Sequence, residues 1–433
     1  MYWEESKECI ARPDLEQLQL ERLQSTLYRV YKNVPLYRSR FKAMRFNPED
    51  IRSLDDLRSL PFTTKADIRE NYPYGLFAVP LREVVRLQAS SGTTGKPTVV
   101  GYTRNDIRRW ADLMSRVLTA AGVTRDDVVQ IAFGYGLFTG GFGFDYGAEN
   151  LGASVIPSSN ESPRRQVLIM QDYRTSTLVS TPSYALHLAD TMAEMDVNVN
   201  ALTLKRGIFG AETWSEAMRR EIQDRLKIQA MDAYGVSEVM GPGIAGECEQ
   251  QNGLHINEDH FIAEIIDPDT GEPLESGREG ELVLTSLTKE AFPMIRFRTG
   301  DLTRLNNDRC ACGRTLARMS RVRGRTDDMI IVRGINVFPS QIEPILFEVE
   351  GTEPHYQIVL EREGSLDTAT LNVEVNESIL SDRITEAQRV VEEIESRLAA
   401  EFGIPFKVRL VEKQSLGRSE GKGWNVEDRR SFE

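Results

Sequence analysis

At 433 residues the chain is too long for one ordinary core, so two or three domains are expected. A composition of 40% hydrophobic and 27% charged residues, with no apolar run near the roughly 18 residues of a membrane helix, points to a soluble protein. The formal charge of −13 excludes a broad nucleic-acid footprint, which needs a concentrated basic face, so any anionic ligand must be held locally.

The acidic, polar start has no positively charged segment leading into an apolar one, so no signal peptide is indicated and the cytoplasm is the expected compartment. Residues 15–31 then show helical apolar spacing through Leu15, Leu18, Leu23, Leu27 and Val30. Strand-like runs at 84–88, 98–102, 128–133, 154–157, 177–180 and 204–209 alternate with helical stretches such as 105–121 and 215–226, which implies βαβ units and a largely parallel sheet. After about residue 250 the texture changes to short strands and glycine-bearing turns, the sign of a smaller β subdomain. A compact tail follows, with helices expected at 340–348 and 384–400 and strands at 329–332, 356–361, 370–375 and 407–411.

Several strings carry chemistry. Ser90-Ser91-Gly92-Thr93-Thr94-Gly95-Lys96-Pro97 combines glycines that turn amides toward an anion, hydroxyl donors and a cation. It departs from a Walker A loop: Gly92 stands too close to the Gly-Lys pair and Pro97 follows the lysine. Asp232-Ala233-Tyr234-Gly235-Val236-Ser237-Glu238 offers an aromatic ring for a base and a carboxylate for magnesium. Arg296-Phe297-Arg298-Thr299-Gly300-Asp301 sets an acid able to accept two ribose hydroxyls beside a turn glycine. Taken singly, these strings also fit a polar hairpin and ordinary turns.

Together with Gly324-Arg325-Thr326-Asp327-Asp328 and a terminal Gly421-Lys422, they resemble, in the same order, the adenylate-forming superfamily of acyl-CoA synthetases, peptide-synthetase adenylation domains and luciferases. Phe133-Gly134-Tyr135-Gly136-Leu137-Phe138-Thr139-Gly140-Gly141 and Ile335-Asn336-Val337-Phe338-Pro339 look like its phenylacetate-coenzyme A ligase branch. The resemblance implies an α/β fold: a large N-terminal domain (1–326) with mostly parallel sheets flanked by helices and a β-rich subdomain near 245–322, then a small mobile C-terminal α+β domain (327–433). It implies an AMP-forming acid–thiol ligase acting on an aryl acid, ATP and coenzyme A with magnesium, and a homodimer.

Residue by residue, the resemblance gives Ser90, Ser91, Gly92, Thr93, Thr94, Gly95 and Lys96 to the ATP β- and γ-phosphates, with Glu238 and Thr94 facing magnesium. Tyr234 falls by the adenine with Gly210, Ala211 and Glu212 beside it, Asp232 and Gly235 belong to the same ATP site, Asp301 takes the ribose hydroxyls, and Arg325 reaches the ribose or the α-phosphate. Lys422 bridges carboxylate and α-phosphate, Asp327 is the hinge, and Gly334 faces the coenzyme A thiol. Gly417 before Arg418 and Gly423-Trp424 after the lysine depart from the pattern, which bears on the stiffness of that loop.

Tyr135, Phe138, Gly141, Phe142 and Phe144 are candidates for the acid pocket, glycines leaving room for a ring that aromatics flank. No basic residue lies in that stretch, which favours a monocarboxylic aryl acid; an indoleacetate- or benzoate-like substrate stays open.

Cys248, His255, Cys310 and Cys312 supply one imidazole and three thiolates, a common tetrahedral zinc set, with His260 as a spare. Other classes fit less well. Gly417-Arg418-Ser419-Glu420-Gly421 has the form of a hydrolase nucleophile elbow, but no histidine follows it, and Gly134-x-Gly136 lacks a third glycine in register for a dinucleotide fold. A non-catalytic nucleotide-binding module is the remaining alternative.

Overall fold

A computed structural model describes residues 1–89, 98–326, 328, 330–333, 335–363, 366–376, 379, 384–413, 415–416 and 424–430. The phosphate-loop candidates Ser90 to Lys96, the hinge Asp327, Gly334 and Lys422 lie outside the described residues. The chain forms two compact units, one of Met1–Ser180, Thr191–Ala211 and Lys227–Arg321, the other of Thr181–Asp190, Glu212–Leu226 and Val322–Glu433.

In the first unit, β1 (Val84–Ala89) and β2 (Val99–Thr103) pair antiparallel in a sheet of their own rather than joining the parallel sheet that the alternation suggested. Only a short connection separates them, too short for the crossover that a parallel neighbour requires. The main sheet runs through β3 (Val128–Ile131), β4 (Ser154–Ile156), β5 (Thr177–Ser180), β6 (Arg206–Phe209) and β7 (Gln229–Val236), all parallel. β3 is mostly valine and isoleucine and every residue of β5 is buried, as expected of strands covered on both faces. At Ala233 the direction of pairing changes, and β8 (Gly241–Glu247) and β9 (Leu254–Ile256) continue the sheet antiparallel.

The β-rich part contains β10 (Phe261–Ile266), β11 (Gly280–Ser286) and β12 (Phe297–Thr303), paired antiparallel, and two short strands, β13 (Leu305–Asn306) and β14 (Arg318–Met319), the latter paired with β9. The helix Arg104–Ala120 starts at a Thr103/Asp106 capping box and buries Trp110, Leu113, Met114 and Val117.

The C-terminal part of the second unit starts with β15 (Gly324–Arg325) and a small antiparallel pair, β16 (Ile330–Val332) and β17 (Ile335–Val337). Its main sheet has the order β20 (Lys407–Glu412), β19 (Leu366–Val375), β18 (Thr352–Glu363), β21 (Trp424–Asp428). The last strand, parallel to β18, has no clear alternating signal and was not expected from sequence. Ile358, Leu371 and Val373 of this sheet pack with Val390, Ile394 and Leu398 of the helix Ile384–Phe402.

Candidate active site and metal centre

In open α/β sheets, ligands collect at the carboxyl ends of the strands. The residues after β3 are Phe133 to Thr139, those after β6 are Gly210 and Ala211, and β7 ends in Tyr234 to Val236. Ala211 adopts φ 69°, a left-handed conformation that a non-glycine residue holds only where its surroundings demand it.

Tyr234 donates its hydroxyl to Asp301 Oδ2 at 2.5 Å, so β7 and β12 bring together the two residues expected at adenine and ribose. Asp301 is buried, its amide donating to Thr299 Oγ1 at 3.0 Å. Asp232 sits near Arg321, 3.4 Å between charged atoms, and its amide donates to Glu247 Oε2 at 2.8 Å. Gly235 cannot be replaced cheaply, because a Cβ there would come within 2.1 Å of the Gly241 carbonyl oxygen. Glu238 is buried in the turn between β7 and β8.

Two of the expected ATP-binding residues fall in the second unit. Glu212 accepts from Ser183 Oγ at 2.8 Å and from Ser183 N at 3.2 Å, and burial pushes its carboxyl up. Arg325 faces Asp328 at 3.8 Å.

The acid-pocket candidates lie on and before the helix Thr139–Leu151, tied to the Tyr234 strand by a 3.0 Å contact between the Thr139 and Ser237 hydroxyls. Tyr135 meets Phe142 edge-on at 5.2 Å between ring centroids. Its hydroxyl is buried without a partner among the described residues, and burial pushes the phenol up. Phe138 is more exposed, at 36%, and its ring lies against Gly140. Phe144 stacks on Phe133 at 6.1 Å and is core.

The glycines here divide: a Cβ at Gly136 would meet nothing within 4 Å, whereas others are closely packed. A Cβ at Gly143 would strike Pro242 at 2.6 Å, and one at Gly141 would sit 3.2 Å from the Gly134 carbonyl oxygen. The stretch itself has no basic residue, but β1 brings one to it. Arg86 lies 4.3 Å from the Phe142 ring centroid and 5.3 Å from that of Tyr146. Sequence spacing carries no signal for this approach.

The four metal-ligand candidates converge. Cys248 follows β8, His255 lies on β9, and Cys310 and Cys312 lie in the turn before β14, with their ligand atoms all within 4.8 Å of one another. Cys248 Sγ is 3.8 Å from Cys310 Sγ, and Cys312 Sγ is 3.5 Å from His255 Nε2. All four cysteines are free thiols. Gly313, at φ 95°, closes the turn by donating its amide to the Cys310 carbonyl oxygen at 3.0 Å.

Burial pushes the Cys248 thiol up to about 12. Burial also opposes the Cys312 thiolate, but His255 and Arg314 override it and bring that thiol down to about 5. His260 is not a spare ligand: its Nδ1 is 2.7 Å from Thr288 Oγ1 and its Nε2 3.2 Å from Asp259.

The AMP-binding enzyme family matches residues 51–288, and the AMP-binding enzyme C-terminal domain matches 334–430. A phenylacetate-coenzyme A ligase of Escherichia coli (strain K12) is 49% identical over 423 residues, 97% of this chain and 96% of the relative. The chain belongs to the AMP-binding enzyme family, in its phenylacetate-coenzyme A ligase branch.

A Thermus thermophilus member of that branch is 46% identical over 434 residues, 97% of this chain and 98% of its own. Among solved structures, 2-hydroxyisobutyryl-CoA ligase in its postadenylation state with R3-HIB-AMP superposes with a TM-score of 0.91 at 28% identity, over 99% of this chain and 92% of that one. The expected class, an AMP-forming acid–thiol ligase with ATP and coenzyme A as substrates, is borne out.

Proposed function

We propose that the chain activates phenylacetate or a close aryl acid with ATP and transfers the acyl group to coenzyme A, releasing AMP and pyrophosphate. Identity of 49% across nearly the full length to a phenylacetate-coenzyme A ligase carries this reading. The pairing of Tyr234 with Asp301 and the aromatic contact of Tyr135 with Phe142 support it. Pyrophosphate release across a panel of aryl and aliphatic acids tests it: phenylacetate should lead the panel, and ADP with phosphate as products would refute the adenylate route.

In this reading the acid attacks the ATP α-phosphorus, so anions must be brought together and cations do most of the work. Ser90 to Lys96 wrap the leaving phosphates, Glu238 with Thr94 holds magnesium, and Asp301 takes the ribose hydroxyls. Lys422 bridges the acid and the α-phosphate while the tail, 327–433, is in its adenylating position, and rotation about Asp327 then presents Gly334 to the thioester site. Lys422→Ala should therefore slow adenylate formation about 10²–10³-fold and spare thioester formation from supplied acyl-adenylate. Equal loss in both half-reactions would remove Lys422 from this role.

The donor set of three sulfurs and one imidazole within 4.8 Å fits a structural zinc with all four positions filled. Cys310→Ser should lower zinc content per chain and thermal stability before it alters turnover; zinc-free protein with full stability would end this assignment. We further take the chain to work as a homodimer in the cytoplasm; sedimentation of the purified protein would test the dimer and cell fractionation the compartment.

A further inference from the structure

We propose that Arg86 is a positioning residue for the acid pocket, holding the aromatic wall formed by Phe142 and Tyr146 through its guanidinium face. This rests on the reading of Tyr135 and Phe142 as that pocket.

Phe142 and Tyr146 stand four residues apart on the helix Thr139–Leu151, so their rings lie on one face, with centroids 6.1 Å apart and planes at 30°. Arg86 covers both, at 4.3 and 5.3 Å. Among the described residues its guanidinium makes no hydrogen bond or ion pair at contact distance; it lies over the two rings, with the Asp145 carboxyl as a charged neighbour. A planar cation on a ring face is attracted by the ring quadrupole, the more so where water is partly excluded. Phe142 in turn meets the Tyr135 edge, and Tyr146 meets Trp110 edge-on at 5.8 Å. Loss of the clamp would let the Phe142 ring leave the orientation that Tyr135 packs against.

Asp145 lies beside the clamp: burial, then Glu149, raises its carboxyl to about 6, with Arg86 acting against both. Arg86 is held by pairing with Tyr102 of β2, and β1 ends at Ala89, immediately before the proposed phosphate loop. One strand thus joins the wall of the acid pocket to the ATP loop.

The test is steady-state kinetics of the full chain with phenylacetate, ATP-Mg and coenzyme A for Arg86→Ala, Arg86→Lys and Phe142→Ala, with unfolding temperatures measured alongside. Arg86→Ala should raise KM for phenylacetate about tenfold, equivalent to about 1.4 kcal/mol, with kcat and KM for ATP within about twofold. Arg86→Lys should recover part of that loss, because the charge remains while the planar face is gone. A parallel rise in KM for ATP, or an unchanged KM for phenylacetate, overturns the proposal. If Phe142→Ala raises the acid KM while Arg86→Ala does not, the clamp alone fails. Where neither variant moves it, the pocket assignment falls and takes the clamp with it.

Discussion

Each unit buries a carboxylate, and the two are neutralised in opposite ways. Asp259, in the first unit, receives both arms of Arg116 at 2.7 and 3.1 Å, with Arg22 and His260 also in reach. Burial raises its carboxyl, yet His260 and Arg116 more than reverse this and hold it far below the usual range. Glu343, in the second unit, has one amide partner, Ser215 N at 3.2 Å, and its charged neighbour is another acid, Glu212. Burial dominates, and its carboxyl rises to about 8. Burial alone therefore does not decide the charge of an interior acid; the nearest cation does.

The comparison breaks most visibly at Asp259. Asp259→Ala leaves Arg116 buried beside an empty partner position, and we expect a loss of about 3–5 kcal/mol in denaturant unfolding, much of it recovered by adding Arg116→Met. A loss below about 1 kcal/mol would mean that Glu4, 2.7 Å from Arg116, compensates on its own.

Lys289 sharpens the point from the basic side. It is fully buried over the Tyr102 ring, and burial lowers its ammonium to about 7 from near 10.5. The unfolded chain then binds more protons than the folded one between about pH 7 and 10.5, so stability rises with pH across that window. Lys289→Met should flatten this rise and stabilise the protein at pH 7 by up to about 4 kcal/mol.

Glu343 tests the acidic side of the comparison. Its folded value is raised above the unfolded one of about 4.3, so the stability of the acid form is fully present below that pH and is lost as pH rises through about 8. Glu343→Gln should match the parent near pH 4.5 and exceed it by up to about 4 kcal/mol at pH 8.5, read from the transition of the second unit. Identical pH profiles would show that Glu343 is solvated.

The order of the motifs was legible because each is a short string whose backbone and side-chain demands are local. The Asp232 to Glu238 segment ends a strand that the preceding helix and turn announce, and the helix Arg104–Ala120 shows itself by its cap and apolar spacing. Cys248, His255, Cys310 and Cys312 were recognisable as a ligand set by type, although their spacing matches no standard finger. β21 and the separate β1 and β2 sheet were not legible, since a strand's partners are chosen by packing across the chain rather than by its own residues.

What the amino-acid order determined by itself is the inventory: the glycines, hydroxyls, acids and lysine of a two-step ligase, in the family's sequence, and three thiols with one imidazole. Tertiary structure alone decided the meetings. It closed the four metal-ligand candidates to within 4.8 Å, set Tyr234 against Asp301, moved His260 to Asp259 and Thr288, and carried Arg86 across from β1 to Phe142. Stacking, ion pairing and metal ligation act over a few ångströms in space, whereas propensity and periodicity report only on neighbours along the chain.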